Sequence, residues 1–209
     1  MPSTKDRYHH GALREELLRV ALRLIETEGL AAVSLRRVAR EAGVSPGAPY
    51  HHFADRSALL AALSGQGFEV LGARLAAARA EAATPLARLT AMADAYIRFA
   101  WDQPAHFRLM FRPELSQPDK HPDAQQAADA AYDILSDTIA ELVASRALPA
   151  AQADTLAVAF WSLAHGVASL ALDGQLTKRA TQLGTDAQTL ADRITHLFAG
   201  LMESSAETT

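Results

Sequence analysis

Cysteine is missing from the chain altogether, which excludes disulfide frameworks, thiolate metal sites and cysteine nucleophiles and fits an intracellular protein. Metal-ligand spacing is missing too. Eight histidines are present, but His9-His10 and His51-His52 are adjacent pairs whose rings diverge on a helix. No His-Glu-x-x-His arrangement occurs, so no metal or other cofactor is expected. There is no nucleophile elbow, phosphate loop or paired-carboxylate motif, so an enzyme reading finds no machinery. The opening Met1-Pro2-Ser3-Thr4-Lys5-Asp6-Arg7 lacks the apolar run of a secretory signal. One uncharged stretch, Thr155 to Leu172, reaches 18 residues, about the least that spans a bilayer. It is Ala-rich, contains His165, Gly166 and two serines, and lies between Asp154 and Asp173 without a basic flank. It reads as a helix buried on nearly all sides of a soluble, cytoplasmic protein, with no membrane partner.

What remains is ordinary globular material: 209 residues, 49% hydrophobic and 21% charged, enough for one large core or two smaller ones. Nearly every segment has helical periodicity and none alternates like a strand, so the fold class is all-α. A first helix is expected from about Gly11 to Glu28, stopped by Gly29. Ser34 caps a short second helix over Leu35–Ala42, Gly43-Val44 turn, and Ser45-Pro46 open a third that ends near Phe53. Asp55 caps a fourth, whose Gly65, Gly67 and Gly72 predict a bend or weak middle. Leu86, Leu89, Ala93, Tyr96 and Ala100 mark a stripe ending before Pro104. A brief helix carries Phe107, Met110 and Phe111, and Pro113, Pro118 and Pro122 mark a loop. Ala128 to Leu142 form the next helix, closed by Pro149. The uncharged helix follows, then a loop over Asp173–Asp186 and an amphipathic last helix. Residues from Glu203 onward are expected to fray.

Net charge is −4, unevenly spread: residues 1–56 hold nine Lys/Arg against seven Asp/Glu, residues 57–209 eleven against seventeen. Basic character is confined to the first quarter, which suits a nucleic-acid-binding head on an acidic body. Within that quarter, Ser34 to Phe53 meets the demands of a helix-turn-helix. Ala39 is small where the two helices approach, Gly43 is comfortable at positive φ, and Ser45-Pro46 starts a helix without extra residues. At the expected groove-facing end, Gly47 and Ala48 let backbone approach DNA, while Tyr50 and His51 can reach phosphate. Arg36 and Arg37 precede them, Arg56 follows, and Arg36 is the candidate base reader through a bidentate guanine contact. The alternative is a solvated basic face on a helical small-molecule-binding or interaction protein that never touches DNA.

Residues 8–60 resemble the DNA-binding domain of the tetracycline-repressor (TetR) family. The likeness rests on Glu28-Gly29-Leu30, Ser34-Leu35-Arg36-Arg37-Val38-Ala39, Ala42-Gly43-Val44-Ser45 and Tyr50-His51-His52-Phe53 with Arg56 and Leu59-Leu60. It implies a three-helix DNA head over residues 1–56 and an effector-binding, dimerising body over 57–209. It also implies DNA contacts at Arg36, Ser45, Gly47, Ala48, Tyr50, His51 and Arg56, usually in a repressor released by ligand. Two positions depart from the pattern. Pro49 stands where a bulky apolar residue is usual, removing an anchor and a backbone donor. Arg56 replaces a lysine. Farther on, Phe160-Trp161-Ser162-Leu163-Ala164-His165-Gly166 and Pro104-Ala105-His106-Phe107-Arg108-Leu109-Met110-Phe111 resemble the subgroup named for a Trp-His-Gly signature.

In the body, Phe99, Phe107, Met110, Phe111, Tyr132 and Trp161 are candidates to line an effector pocket, with Tyr96 and His165 as polar fixtures. Each could equally be ordinary core, His165 included. A palindromic operator on double-stranded DNA demands a symmetric dimer. The surface expected for it is the helix 153–172 with the stripe Leu190, Ile194, Leu197, Phe198 and Leu201, closing a four-helix bundle. The alternative is that both helices complete the monomer's own core.

Overall fold

The computed structural model describes residues 4–115, 119–145 and 150–204. Among them are nine α-helices, three short 3-10 turns and no strand, in keeping with the all-α expectation. Pro118, Pro149 and the tail beyond Ser204 lie outside the described residues.

Packing divides the chain into two units, Met1–Gly67 with Ala105–Gln126, and Phe68–Pro104 with Ala127–Thr209. In the first, α1 spans Thr4–Glu28, beginning ahead of Gly11, and a 3-10 turn at Leu30–Ala32 leads to α2, Leu35–Glu41. Ser34 caps α2 as expected, its hydroxyl accepting from the Arg37 N–H at 3.2 Å. Leu35 and Val38 point inward to join Leu17, Val20, Leu24, Phe53 and Leu59 in the cluster that is the unit's core, and Ala39 is buried beside them on α2. Gly43 makes the turn at φ +69°, a backbone that L side chains adopt only with strain.

The third helix is not the one the Ser45-Pro46 pair predicts. It is a single 3-10 turn, Ala48–His51, that no side chain caps. Pro49 is the cause. An α-helix would bond the Ser45 carbonyl to the amide of residue 49, and proline has none. The Ser45 carbonyl takes the Ala48 N–H at 3.0 Å instead, and Tyr50 N–H reaches Gly47 O at 3.2 Å, both one residue tighter than α. Pro49 is itself the buried residue of this element, so the ring anchors it after all.

The helix α3, Arg56–Glu81, starts at an Asp55 cap, whose Oδ1 accepts from Ala58 N–H at 2.8 Å, and runs unbroken through Gly65, Gly67 and Gly72. The weak middle expected there is replaced by close packing. A Cβ on Gly67 would sit 2.5 Å from Met110 Sδ, so glycine lets α5, Pro104–Met110, lie against α3.

The second unit contains α4 (Pro85–Asp102), α6 (Pro122–Ser145, which begins in the first unit), α7 (Ala153–Leu172), α8 (Gln175–Gln182) and α9 (Ala187–Ser204). Leu86, Leu89, Ile139, Leu142 and Phe160 make its core, with Phe198 edge-on to Phe160 at 4.9 Å. Two expectations fail here. The segment Asp173–Asp186 is no plain loop: Gly174 turns the chain at φ +71° and α8 follows, burying Leu176 and Ala180 one turn apart. The helix α7 is not buried on nearly all sides. Ala157, Phe160, Ala164, Val167 and Ala168 face protein, while Val158 and Leu170 are each 49% exposed. By length and composition the segment Ala150–Leu172 would pass for a membrane span, but its buried face packs on α4 and α9. The last helix extends to Ser204, and the residues beyond it, where fraying is expected, lie outside the described residues.

Candidate functional site

The surface around the helix-turn-helix is polar and cationic over an aliphatic core. Arg36, Ser45, Gly47, Tyr50 and His51 are exposed and Ala48 half-buried. Arg36 makes no side-chain hydrogen bond or ion pair among the described residues, so its fork of donors is uncommitted. Tyr50 is 52% exposed although aromatic, an arrangement with no folding benefit. A Cβ at Gly47 would meet nothing within 4 Å.

Two other predicted contacts are already engaged. Arg37 Nη2 donates to Glu28 Oε1 at 2.6 Å, tying α2 to the end of α1. Arg56 donates from Nε to Val33 O and from Nη2 to Leu30 O, each at 2.9 Å, clamping the 3-10 linker. Both hold the scaffold. Sequence reasoning missed Arg40, whose side chain is 72% exposed one helical turn beyond Arg36. The i, i+4 spacing was the signal. It also missed Arg14, whose guanidinium lies 5.5 Å over the Phe53 ring.

In the second unit Tyr96, Tyr132, Trp161 and His165 form one cluster. Trp161 Nε1–H donates to the Tyr96 oxygen at 3.3 Å, and the Tyr96 hydroxyl lies 2.9 Å from His165 Nδ1, placed to donate to it. Tyr132 meets Trp161 edge-on at 6.1 Å. Burial pushes the Tyr96 hydroxyl well above its ordinary value, the Trp161 bond offsetting only part, and burial lowers the His165 imidazole. Burial thus favours the neutral form of both, and where the Tyr96 O–H donates, His165 Nδ1 accepts and the ring proton sits on Nε2. Phe99 is fully buried, with Arg74 5.6 Å over its ring. Phe107, Met110 and Phe111 belong to the first unit, where the Phe107 and Phe111 rings meet tilted at 60° with centroids 5.3 Å apart.

The stripe on α9 divides. Phe198 turns inward to Phe160, whereas Leu197 is 66% and Leu201 58% exposed, with Leu190 and Ile194 half-buried beside them. The residues at 190, 194, 197 and 201 share one face, and Leu197 and Leu201 are its most exposed members.

A compact helix-turn-helix with an outward polar and cationic face, joined to helices that leave apolar side chains bare, defines a DNA-binding transcription regulator. Residues 17–63 match the family described as bacterial regulatory proteins, tetR family, and residues 89–198 match the tetracyclin repressor-like, C-terminal domain. The chain belongs to the TetR family, whose members are regulators and not enzymes.

Over 79 residues, 38% of this chain, it is 38% identical to the HTH-type transcriptional regulator BetI of Rhizobium meliloti, and the match spans 39% of that relative. A protein of unknown function from Rhodococcus sp. RHA1 has a similar structure at TM-score 0.78 and 35% identity, covering 92% of this chain and 96% of that one. The transcriptional regulator FadR from Bacillus subtilis, solved in complex with stearoyl-CoA, shares the fold at TM-score 0.69 and 15% identity, covering 88% and 97%.

Proposed function

We propose that the protein is a homodimeric, cytoplasmic repressor that holds a palindromic operator and releases it when a small molecule enters its C-terminal body. The exposed Arg36, without a side-chain partner among the described residues at the start of α2, is the observation that carries DNA reading, with Tyr50 and His51 also exposed in the element that follows. In this reading residues 1–56 are the head and 57–209 the body. Arg36 reads a base in the major groove. Tyr50, His51 and the backbone at Ser45, Gly47 and Ala48 position the head on phosphates. Arg37 and Arg56 add charge near the phosphates from their scaffold posts. Selection of bound duplexes from a random pool tests this reading: a recovered palindrome supports it, and salt-labile binding without sequence preference sinks it.

The effector is proposed to be small and largely apolar with a hydrogen-bond acceptor. Tyr96, Trp161 and His165 are its proposed polar contacts, with Tyr132 and Phe99 as apolar neighbours, while Phe107, Met110 and Phe111 belong to the other unit and are not counted in this site. The Trp161-Ser162-Leu163-Ala164-His165-Gly166 segment supports assignment to the Trp-His-Gly subgroup, and the stearoyl-CoA held by the Bacillus subtilis FadR supports an apolar ligand class. Dimerisation is proposed through the bare faces of α7 and α9, on Leu190, Ile194, Leu197 and Leu201, with Phe198 bracing the seam from within. A ligand that changes the spacing of two heads weakens binding to half-sites one helical turn apart. Calorimetry with and without operator tests the coupling, which must be reciprocal: equal ligand affinity in both states rules out induction.

A further inference from the structure

A groove of about 470 Å³ runs between α4 and α9, walled by Leu86, Ala87, Ala91 and Ala199 and carrying Asp94 and His196. Asp94 is half-buried in it. The hydroxyl of Thr195, a residue only 3% exposed, lies 3.0 Å from both Asp94 Oδ1 and the Asp192 carbonyl, with one proton to share between them. No cation pairs with Asp94 and nothing donates to its second oxygen among the described residues. A carboxylate drawn out of water without a counter-ion is costly. Desolvation accordingly raises its pKa, and Asp192 adds to the rise, while His196 and Arg98 pull the other way without touching it.

The second polar group is His196, whose Nδ1 lies 2.7 Å from the Asp192 carbonyl, which can only accept, so Nδ1 carries a proton. Its Nε2 is an acceptor in the neutral ring and a donor in the protonated one. Asp94 and Tyr96 are two residues apart on α4 and so point roughly 200° apart around it, away from one another. The groove also lies off the Leu190–Ile194–Leu197–Leu201 face of α9. Neither the aromatic cluster nor the proposed seam uses it.

We propose that this groove is a second small-molecule site, taking an organic ammonium: a primary or secondary amine whose N–H groups meet Asp94 Oδ2 and His196 Nε2 and whose apolar body lies on the Leu86–Ala91 wall. The Thr84 and Thr90 hydroxyls also line the groove, bonded to Ala87 N–H and Leu86 O respectively. The Asp94 carboxylate is the group that complements a cation, and a groove of this size holds a body of about ten carbons.

The test uses the full chain at neutral pH and three probes of one shape: 4-phenylbutylammonium, 4-phenylbutanol and 4-phenylbutyrate. Calorimetry and amide NMR should give saturable binding of the ammonium alone, with shifts at residues 90–94 and 195–200. Asp94→Asn keeps the acceptor for Thr195 and the side-chain shape, so it should fold as the parent does while binding the ammonium at least tenfold more weakly. The proposal is overturned if the alcohol or the carboxylate binds as tightly, if Asp94→Asn binds the ammonium unchanged, or if the shifts cluster at Trp161 and His165 instead.

Discussion

The two units finish their surfaces in opposite ways. The first hides its aliphatic residues over Leu17–Leu63 and leaves arginine, tyrosine and histidine outside. The second leaves Val158, Trp161, Leu170, Leu197 and Leu201 outside, all more than a third exposed. A polar, cationic surface is stable in water and attracts a polyanion. A run of bare apolar side chains is costly in water and is relieved by another apolar surface. The head's surface needs no further cover, and the proposed dimer would cover the exposed apolar side chains of the body.

The largest effect that would break this contrast is a charge at the bare stripe. Leu197→Asp combined with Leu201→Asp should leave the monomer folded, because both side chains are exposed in it. It should cost the dimer on the order of 3–5 kcal/mol for each charge left buried and unpaired. Sedimentation should then find a monomer at micromolar concentration with tight operator binding lost. Phe198→Asp is a poor substitute, since Phe198 packs on Phe160 within the monomer core.

Two arginines sharpen the account of the head. Arg36→Ala should cost about 1–3 kcal/mol of operator discrimination and leave Tm unchanged. Arg56→Ala should do the reverse, losing about 1–3 kcal/mol of head stability with its two carbonyl bonds. Titration against specific and scrambled duplexes, alongside thermal melts, separates them. Equal losses of binding from both would mean that the uncommitted and committed guanidinia do the same work.

Gly67→Ala probes the first unit's interior. The new methyl meets Met110 Sδ at 2.5 Å, and both residues are buried. Overpacking of about 1–3 kcal/mol is expected, read as a lower Tm. An unchanged Tm would mean that Met110 moves aside without cost.

The smallest effect lies in the second unit. Burial raises the Asp94 carboxyl, so its protonated form is favoured by folding. That contribution is full below the unfolded value near 4 and is lost as pH rises through the folded one. Asp94→Asn should therefore raise Tm by a few degrees at most at pH 7, and the gain should shrink as pH falls toward 4. A gain that grows on acidification would reverse the sign of the argument.

How much of this was legible depended on how local the cause was. The Ser34 and Asp55 caps and the Gly43 turn are set by residues within four positions, and sequence sufficed. The 3-10 turn at Ala48–His51 was legible in principle. The sequence shows that Pro49 lacks a donor, while the redirection of the Ser45 carbonyl to Ala48 N–H follows only from the turn it makes. The α8 helix was hidden because its buried pair, Leu176 and Ala180, is short and sits among Gln, Thr and Lys. The roles of Arg37 and Arg56 depend on partners 9 to 26 residues away, as does the Asp94–Thr195 pair 101 residues apart. Periodicity also placed Phe198 with Leu197 on one stripe, because a residue 100° away on the wheel still counts as the same broad face.

The contrast between a finished head and an unfinished body is tested most directly by the stoichiometry of the DNA complex. An operator recovered by selection from random duplexes would be titrated with the protein and followed by sedimentation velocity. The account predicts a palindromic site occupied by a preformed dimer, two chains per half-site pair arriving together. A single chain bound just as tightly to a site without symmetry would contradict it.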